Sequence, residues 1–318
     1  MLARFFCMEY EKYKINTREG MFMIKDYFFS KNVEEATALL SKYAGRAMVI
    51  AGGTDLMINM ANQELEAEVL VDVTRSWGFH EINLIDGYLI IGAGVTMSEA
   101  ATHDLICTYT SSLAAAAASV GSVQIRNVAT LAGNIIRAQP AADAAVMLAA
   151  LGAAITVCGK NGMRDILVEE SYAGLGRSVV DPSQEIVSKI KFKAPQKNQG
   201  SAYVRLAQRK ALALPMLNVG VWLSTANRSI EDVRIIMAPV GEKPQRADVA
   251  EKYLIGKAPT AEAFQEAGVL AVKDAQPRDS FIRGSQEYRL AVLPSQVEKA
   301  LAESWDEIIR KGGIEHEA

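Results

Sequence analysis

The chain has 318 residues, of which 50% are hydrophobic and 22% are charged, and its formal net charge is −3 at pH 7. This length allows two domains, each with its own hydrophobic core. Binding to a nucleic-acid backbone needs an excess of clustered Lys and Arg, which this composition lacks. No apolar run approaches the ~20 residues that a membrane-spanning helix needs. We therefore predict a protein that neither binds nucleic acid nor crosses a membrane.

The cysteines and histidines limit the redox chemistry that this chain can carry. Cys7, Cys107 and Cys158 are widely spaced and form no CxxC pair, so neither a disulfide framework nor a cysteine-ligated zinc site is indicated. Three thiolates cannot hold a four-thiolate iron–sulfur cluster, and the three histidines show no metal-ligand spacing. The sequence therefore predicts a reducing compartment, the cytoplasm, and an organic cofactor for any redox chemistry.

Residues 1–22 precede the first predicted element of the fold. They carry scattered charges of both signs and lack the apolar core and cleavage site of a secretory signal. We interpret this segment as an N-terminal extension, which is either an additional arm or the result of a start codon placed too early. In the second case Met21 or Met23 is the true start.

The first half of the chain alternates strand and helix patterns. The strand over 47–50 ends in the sequence AGGTD at 51–55, and Thr96 with Glu99 forms a predicted capping box. A nearly all-Ala run is a strong helix former that Gly121 closes as a C-cap, and the polar stretch 124–127 is a predicted turn. The predicted elements are a strand after residue 23, a helix over 33–43, strands over 47–50, 69–73 and 88–91, helices over 112–120 and 140–151, and a strand over 154–157.

A polar segment that contains Lys, Pro and Gly, at 195–200, predicts a domain boundary. The last predicted helix contains Pro294 and should kink or split there, because proline removes a helical hydrogen bond. Beyond the boundary the predicted elements are strands over 201–206, 218–224 and 233–239 and helices over 247–254, 260–273 and 285–309. The predicted organisation is an extension 1–22, a first domain 23–198 with subdomains 23–78 and 79–198, a second domain 199–312 and a tail 313–318.

Two glycine-bearing segments, AGGTD at 51–55 and TLAGN at 130–134, have the composition of a pyrophosphate site. Glycine lets the main chain approach a phosphate closely and adopts positive φ without steric cost. A helix that starts after Asp55 would add its N-terminal dipole. Either segment alone is more often an ordinary turn, and the pair suggests a phosphate site without establishing it.

Several motifs occur along this chain in the same order as in a known protein family. The sequences AGGTDL at 51–56, QIRNVATLAGN at 124–134 and PAAD at 140–143 resemble the paired FAD motifs of molybdenum-hydroxylase flavoprotein subunits. That family includes xanthine dehydrogenase and carbon monoxide dehydrogenase. The sequences GAGVT at 92–96 and RGSQEYR at 283–289 extend the resemblance. It implies that this chain is the FAD-carrying middle subunit of such an enzyme.

The resemblance covers about residues 23–301 and implies an α+β fold. A two-subdomain FAD-binding domain of the PCMH or vanillyl-alcohol-oxidase-like type comes first. A smaller α+β domain follows, similar to the C-terminal domain of carbon monoxide dehydrogenase flavoproteins, with an antiparallel sheet and helices. The flavin ring is expected at the junction of the two domains.

The resemblance also implies roles for single residues. Residues 51–55 and 130–134 would wrap the FAD pyrophosphate, with hydroxyl donors from two threonines, and Asp143 would accept a hydrogen bond from the ribose. Val120 would lie on the adenine side, and Ile136 would pack on the isoalloxazine. The predicted cofactor contacts are Ala51, Gly52, Gly53, Thr54, Asp55, Val120, Thr130, Ala132, Gly133, Asn134, Ile136, Asp143, Val187, Tyr203 and Arg205.

Some of these residues have plainer interpretations. Asp143 is equally consistent with a helix N-cap, and Tyr203 and Val120 with core residues. Arg126 is interpreted as a structural guanidinium that pins a loop. Two positions depart from the family pattern. Ala132 stands where the first of two glycines is usual, which requires either negative φ or a reshaped loop. At Arg205 the family commonly has Lys, so the cation is kept with a different geometry.

The resemblance implies an electron relay. A large molybdenum-cofactor subunit would oxidise the substrate, a small 2Fe-2S subunit would carry the electrons, and FAD on this chain would pass them to NAD or another acceptor. These subunits would form a heterotrimer or its dimer, and no catalytic residue or metal ligand is expected here. Two alternatives stay open at this point, a self-contained FAD-dependent oxidase and a non-enzymatic nucleotide-binding scaffold subunit.

Overall fold

The computed structural model of the protein describes residues 24–209 and 212–312, together with the short strand Lys12–Tyr13. Apart from that strand, the predicted extension 1–22 lies outside the described residues, as does the predicted tail 313–318. None of the helices in these described ranges is long and apolar enough to span a bilayer.

The chain begins with a small sheet whose core strands are parallel. Its strands are β1 Lys12–Tyr13, β2 Asp26–Phe29, β3 Ala47–Ile50 and β4 Val69–Asp72, in the order β1-β2-β4-β3. Strands β2, β4 and β3 are parallel, and β1 is antiparallel to β2. The helices are α1 Val33–Lys42 and α2 Leu56–Ala61. Asn32 caps α1 by accepting from the amide of Glu35 at 2.8 Å, which explains why the helix starts there.

A larger antiparallel sheet and a group of short helices follow. The sheet has the order β5-β6-β11-β7-β8, and Thr96 and Glu99 form the predicted capping box of α3. The strands of this sheet are β5 Ile82–Ile85, β6 Tyr88–Gly92, β7 Ala154–Gly159, β8 Gly162–Leu167 and β11 Glu185–Lys193. Strands β9 Tyr172–Gly174 and β10 Arg177–Ser178 form a separate antiparallel pair. The helices are α3 Met97–Thr102, α4 Asp104–Tyr109, α5 Ser111–Ala118, α6 Val123–Arg126, α7 Leu131–Ile136 and α8 Asp143–Ala150, with a 3-10 turn at Val168–Glu170.

Two segments that the sequence predicts as a turn and a loop are short helices. The predicted turn at 124–127 lies largely in α6, and most of the predicted loop at 130–134 lies in α7. Each helix has a hydroxyl cap, because Ser122 accepts from the amide of Ile125 and Thr130 accepts from that of Gly133 at 3.0 Å. These caps compensate for lengths that would be marginal in isolation.

The second domain is an antiparallel sheet covered by three helices, as predicted. Its strands are β12 Gln199–Leu206, β13 Leu217–Ala226, β14 Ser229–Ala238 and β15 Gln245–Arg246 in that order, and its helices are α9 Asp248–Leu254, α10 Ala261–Ala271 and α11 Gln286–Arg310, with a 3-10 turn at Val272–Asp274. Of the predicted kink or split at Pro294, the split is wrong, because α11 continues through this residue. Tertiary packing supports the helix there: a Cβ added to Gly268 of α10 would lie 2.5 Å from the carbonyl oxygen of Pro294.

Helix α8 lies between the two domains, and all eight of its residues are buried. The two faces of β13 explain this position. Leu217 and Val219 pack in the core under α9, α10 and α11, whereas Trp222 belongs to the core of the first domain. Gly220 meets α8 so closely that an added Cβ would lie 3.1 Å from the carbonyl oxygen of Val146. The first residue of α8, Asp143, therefore sits at the domain junction.

Candidate functional site

The two glycine-bearing segments are in direct backbone contact. A Cβ added to Gly52 would lie 2.0 Å from the carbonyl oxygen of Val128 and 2.9 Å from the amide nitrogen of Ala129. No side chain fits at this position. Glycine is required here because the two main chains touch. The bridge between Thr96 and Thr130 holds the second segment against the start of α3. The fold thus brings together two motifs that lie far apart in the sequence.

The turn after β3 presents a row of free amides. Among the described residues, no acceptor receives a hydrogen bond from the backbone amides of Gly52, Gly53, Thr54, Asp55 and Leu56. Gly53 has φ of +65°, which turns the chain sharply at this point. Consecutive amides with no internal acceptor form a concave anion-binding surface. This arrangement fits a diphosphate group.

The carboxylate of Asp55 lies at the edge of this turn, where it would repel a phosphate. Arg137, the C-cap residue of α7, donates from Nε to Oδ1 of Asp55 at 3.0 Å. The ion pair offsets the carboxylate charge and ties the end of α7 to the start of α2. Arg137 was not among the predicted site residues, and no local pattern marks it.

Helix α7 lies on the other side of this row of amides, and we call the turn at 51–55 together with the start of α7 the cradle. The hydroxyl oxygen of Thr130 accepts from the amide of Gly133 as its N-cap, which leaves the hydroxyl hydrogen available to a ligand. Ala132 is buried within α7 and is not among the residues with positive φ. Its helical backbone has no need of glycine, so the departure from the family pattern does not reshape the cradle.

Asn134 connects α7 to α8. Its Oδ1 accepts from the amide of Ala145 at 3.1 Å, in the first turn of α8. The N-cap residue of α8 is Ala142, which has no side-chain acceptor, so Asn134 supplies the cap from the neighbouring helix. The interpretation of Asp143 as the N-cap is therefore wrong. Its carboxylate is directed instead towards the second domain.

Asp143 joins two residues of β12 that project from the same face of the strand. The hydroxyl of Tyr203 donates to Oδ1 of Asp143, and Nε of Arg205 donates to the same oxygen at 2.9 Å. Burial, followed by the Asp143 charge, raises the pKa of Tyr203 well above its ordinary value, so the phenol stays protonated as a donor. All described hydrogen bonds to this carboxylate fall on Oδ1. Oδ2 is therefore left for a ligand.

The cluster has one further member, Asn218, which sequence reasoning missed. Asn218 is fully buried opposite Arg205 in the β12–β13 register, and its Nδ2 lies 3.2 Å from the hydroxyl oxygen of Tyr203. Its Oδ1 has no donor among the described residues. Buried polar atoms normally have partners, so this acceptor is consistent with a site that a ligand completes. An Asn within the apolar run of β13 was the available signal.

The remaining predicted contacts lie in or against the core of the first domain. Val120 and Ile136 are partly buried against the first core, and Val187 is buried within it on β11. Arg126 donates to the carbonyl of Val120 at 2.9 Å and pins the turn after α5, as predicted. Ala51 is partly buried at the end of β3, next to the cradle.

Two family models match the chain. The FAD binding domain in molybdopterin dehydrogenase matches residues 20–194, and the CO dehydrogenase flavoprotein C-terminal domain matches residues 202–304. The carbon monoxide dehydrogenase medium chain of Hydrogenophaga pseudoflava is 26% identical over 280 residues, with 88% of this chain and 96% of that one covered. The xanthine dehydrogenase FAD-binding subunit of Escherichia coli O157:H7 is 25% identical over 285 residues, which are 89% of this chain and 97% of that one.

The solved structures agree. A structure of carbon monoxide dehydrogenase from Hydrogenophaga pseudoflava matches with a TM-score of 0.83 and 27% identity, over 88% of this chain and 97% of that one. The fold, the paired cradle and these matches define an oxidoreductase flavoprotein of the molybdenum hydroxylase type. The chain belongs to the family of FAD-binding domains in molybdopterin dehydrogenases. The predicted family and the α+β architecture are confirmed.

Proposed function

We propose that this chain holds FAD in the cradle between β3 and α7 and relays electrons within a multisubunit molybdenum hydroxylase. The backbone contact between Gly52 and Val128 carries the proposal, because it places the row of free amides beside α7. A diphosphate needs several convergent N–H donors and close approach of the main chain, and the cradle offers both. The residues present therefore fit the cofactor that the family binds.

The site residues divide among three parts of the cofactor. We assign Ala51, Gly52, Gly53, Thr54, Asp55, Thr130, Ala132, Gly133 and Asn134 to the diphosphate, Val120 to the adenine side, and Ile136, Val187, Tyr203 and Arg205 to the flavin ring. Oδ2 of Asp143 would accept a hydrogen bond from the ribose. The bond from Asn134 to Ala145 supports this division, because it joins α7 at the cradle to α8 at the Asp143 cluster.

Arg205 would provide a fixed positive charge at the flavin end. Bound FAD supplies the redox chemistry, since it can accept electrons singly and release them as a pair. Asp143 and the carbonyl of Ala213 both accept from the Arg205 guanidinium, so the cation is held in place rather than mobile. A guanidinium held in this way can donate hydrogen bonds to negative charge that develops on a neighbouring group, while Asp143 offsets part of the guanidinium charge.

We propose partners that follow from this role. A large molybdenum-cofactor subunit and a small 2Fe-2S subunit would assemble with this chain as a heterotrimer or its dimer in the cytoplasm, and NAD or another acceptor would take the electrons. Within the described ranges, no cluster of His, Cys, Asp and Glu could hold a metal ion. We also propose a domain boundary between residues 198 and 199, because the segment 195–200 is polar and contains Lys, Pro and Gly.

The two alternatives make different demands. A self-contained oxidase would reduce its own flavin with a small substrate in the absence of partners. The one feature of the sequence that favours a scaffold without flavin is Ala132 in place of a usual glycine, and the helical backbone of that residue removes this argument. Electron relay is therefore the function that the site supports best.

The visible spectrum of the purified chain tests the proposal. We expect the near-ultraviolet and blue absorption bands of bound flavin. Gly53→Val should abolish them, whereas Gly45→Val should retain them, because Gly45 has a similar φ of +73° but lies outside the cradle with nothing within 4 Å of an added Cβ. A colourless protein that cannot be reconstituted with FAD, or unchanged flavin content in Gly53→Val, would overturn the assignment.

A further inference from the structure

Four large apolar side chains are exposed together on two loops of the second domain. Phe281 is fully exposed and Ile282 is 59% exposed on the loop before α11, and Leu212 and Leu214 are 59% and 54% exposed on the loop after β12. Nε2 of Gln208 donates to the carbonyl of Ile282 at 3.3 Å and joins the loops. We name these four side chains the Phe281 patch. Apolar side chains gathered at a surface mark a place where another molecule binds.

The patch is connected to the flavin end of the proposed site. Arg205, which pairs with Asp143, also donates from Nη2 to the carbonyl of Ala213, and Ala213 lies between two leucines of the patch. A Cβ added to Gly284, on the other loop, would lie 3.0 Å from Cε of Met216. A molecule bound on the patch would therefore contact the loop that holds the Arg205 cation.

Two arginines at the edge of the patch form no salt bridge within the described ranges, although Asp279 acts on Arg289 and the Nη atoms of Arg289 donate to the carbonyls of Pro239 and Arg278. Nε of Arg283 and Nε of Arg289 are buried, and neither has an acceptor among the described residues. Burial lowers the pKa of Arg289, and the nearby Arg283 charge lowers it further, with Asp279 opposing this effect. Other charged residues in the sequence of these segments are Arg209, Lys210, Arg278 and Glu287. A buried cation is stabilised when a carboxylate pairs with it.

We propose that the Phe281 patch and Arg283 form the docking surface for the small iron–sulfur subunit, with Phe281 in an apolar pocket of that subunit and Arg283 paired with a carboxylate at the pocket rim. Aromatic and arginine side chains are the usual energetic centres of protein interfaces. This inference rests on the proposed function, in which the chain that delivers electrons must approach the flavin end of the site. The molybdenum subunit and a second copy of this chain are the other occupants that the test distinguishes.

Site-specific photo-crosslinking identifies the occupant. The full chain would carry p-benzoylphenylalanine in place of Phe281 and be expressed with its partner subunits in its host. The control places the same group at Trp77, an aromatic residue that is 82% exposed on the first domain. We expect crosslinks from position 281, but not from position 77, to the subunit that carries the 2Fe-2S clusters. Crosslinks only to another chain, or none, would overturn the proposal.

The affinity of the purified iron–sulfur subunit for the FAD-loaded chain gives a second readout. Phe281→Ser with Arg283→Gln should weaken binding about 30-fold or more, whereas Trp77→Ser with Arg46→Gln should not. Phe281→Ser alone keeps the test valid if the double variant misfolds. Equal affinities for patch and control variants would overturn the docking surface while leaving the flavin assignment intact. A wild-type chain without flavin would instead contradict the proposed function.

Discussion

Arg205 donates to Asp143 at 2.9 Å, and this ion pair joins β12 of the second domain to the first residue of α8 in the first. Their side chains are only 13% and 10% exposed. A nearly buried ion pair adds little net stability relative to apolar residues, but its loss on one side leaves an uncompensated charge. Domain docking and the proposed flavin end of the site therefore depend on the same carboxylate.

Asp143→Ala should lower the free energy of unfolding of the flavin-free protein by ~2 to 4 kcal/mol, because Tyr203 and Arg205 lose their shared acceptor. FAD affinity should also fall, by ~1 to 3 kcal/mol, if Oδ2 accepts from the cofactor. Urea denaturation and FAD titration measure the two effects. In a double-mutant cycle, Arg205→Met should remove part of the stability cost of Asp143→Ala. Strictly additive effects would show that the ion pair does not couple the domains.

Asn134→Ala should lower stability by ~0.5 to 2 kcal/mol, the usual cost of losing a helix cap, because Asn134 caps α8 through Ala145. It should also weaken FAD binding, since α8 positions Asp143. The matched control is Asn32→Ala, which removes a cap of similar geometry from α1, outside the site. Thermal unfolding and FAD titration compare the two variants. Equal FAD affinities for both would confine Asn134 to a stabilising role.

Ala132→Gly should lower stability by ~0.5 to 1 kcal/mol without strengthening FAD binding. The residue is helical and buried, so glycine adds only conformational entropy to the unfolded state. Denaturant midpoints and FAD dissociation constants of the two proteins give the comparison. Tighter FAD binding by the glycine variant would mean that Ala132 does restrict the cradle.

Local patterns were sufficient for the elements that hold the site. The strand over 47–50 has the predicted bounds, and the capping box of Thr96 and Glu99 is present, because both depend on neighbouring residues only. The Gly-bearing motifs were also recognisable from sequence. The loop prediction at 130–134 failed because a hydroxyl cap from Thr130 starts a helix there.

Contacts between distant residues could not be predicted. Gly52 touches Val128, 76 positions away in the sequence, and nothing in either segment specifies the other. The cap that Asn134 supplies to α8 and the role of Asn218 also depend on how helices and strands pack. Pro294 is tolerated inside α11 for the same reason, since tertiary packing outweighs the local effect of proline.

The Arg164–Glu185 ion pair predicts how stability depends on pH. Both Nη atoms of Arg164 on β8 donate to the carboxylate of Glu185 on β11, across β7. These hydrogen bonds hold the pKa of Glu185 below its ordinary value, against the opposing effect of burial. A carboxyl with a lowered folded-state pKa stabilises the protein above its unfolded pKa, and this contribution is lost as pH falls through the folded value.

Arg164→Met should therefore lower the urea midpoint at pH 7 and bring it closer to that of the wild type as the pH falls below the ordinary pKa of a glutamate. In this pH range the wild type takes up a proton at Glu185 when it unfolds, because the pKa of that carboxyl is lower in the folded state than in the unfolded state. Without Arg164 the two pKa values of Glu185 differ less, so the stability of the variant falls less as the pH falls. Urea unfolding of both proteins between pH 7 and the onset of acid unfolding measures the convergence. A gap in midpoint that stays constant across this range would show that Arg164 contributes through packing of its aliphatic stem rather than through its charge.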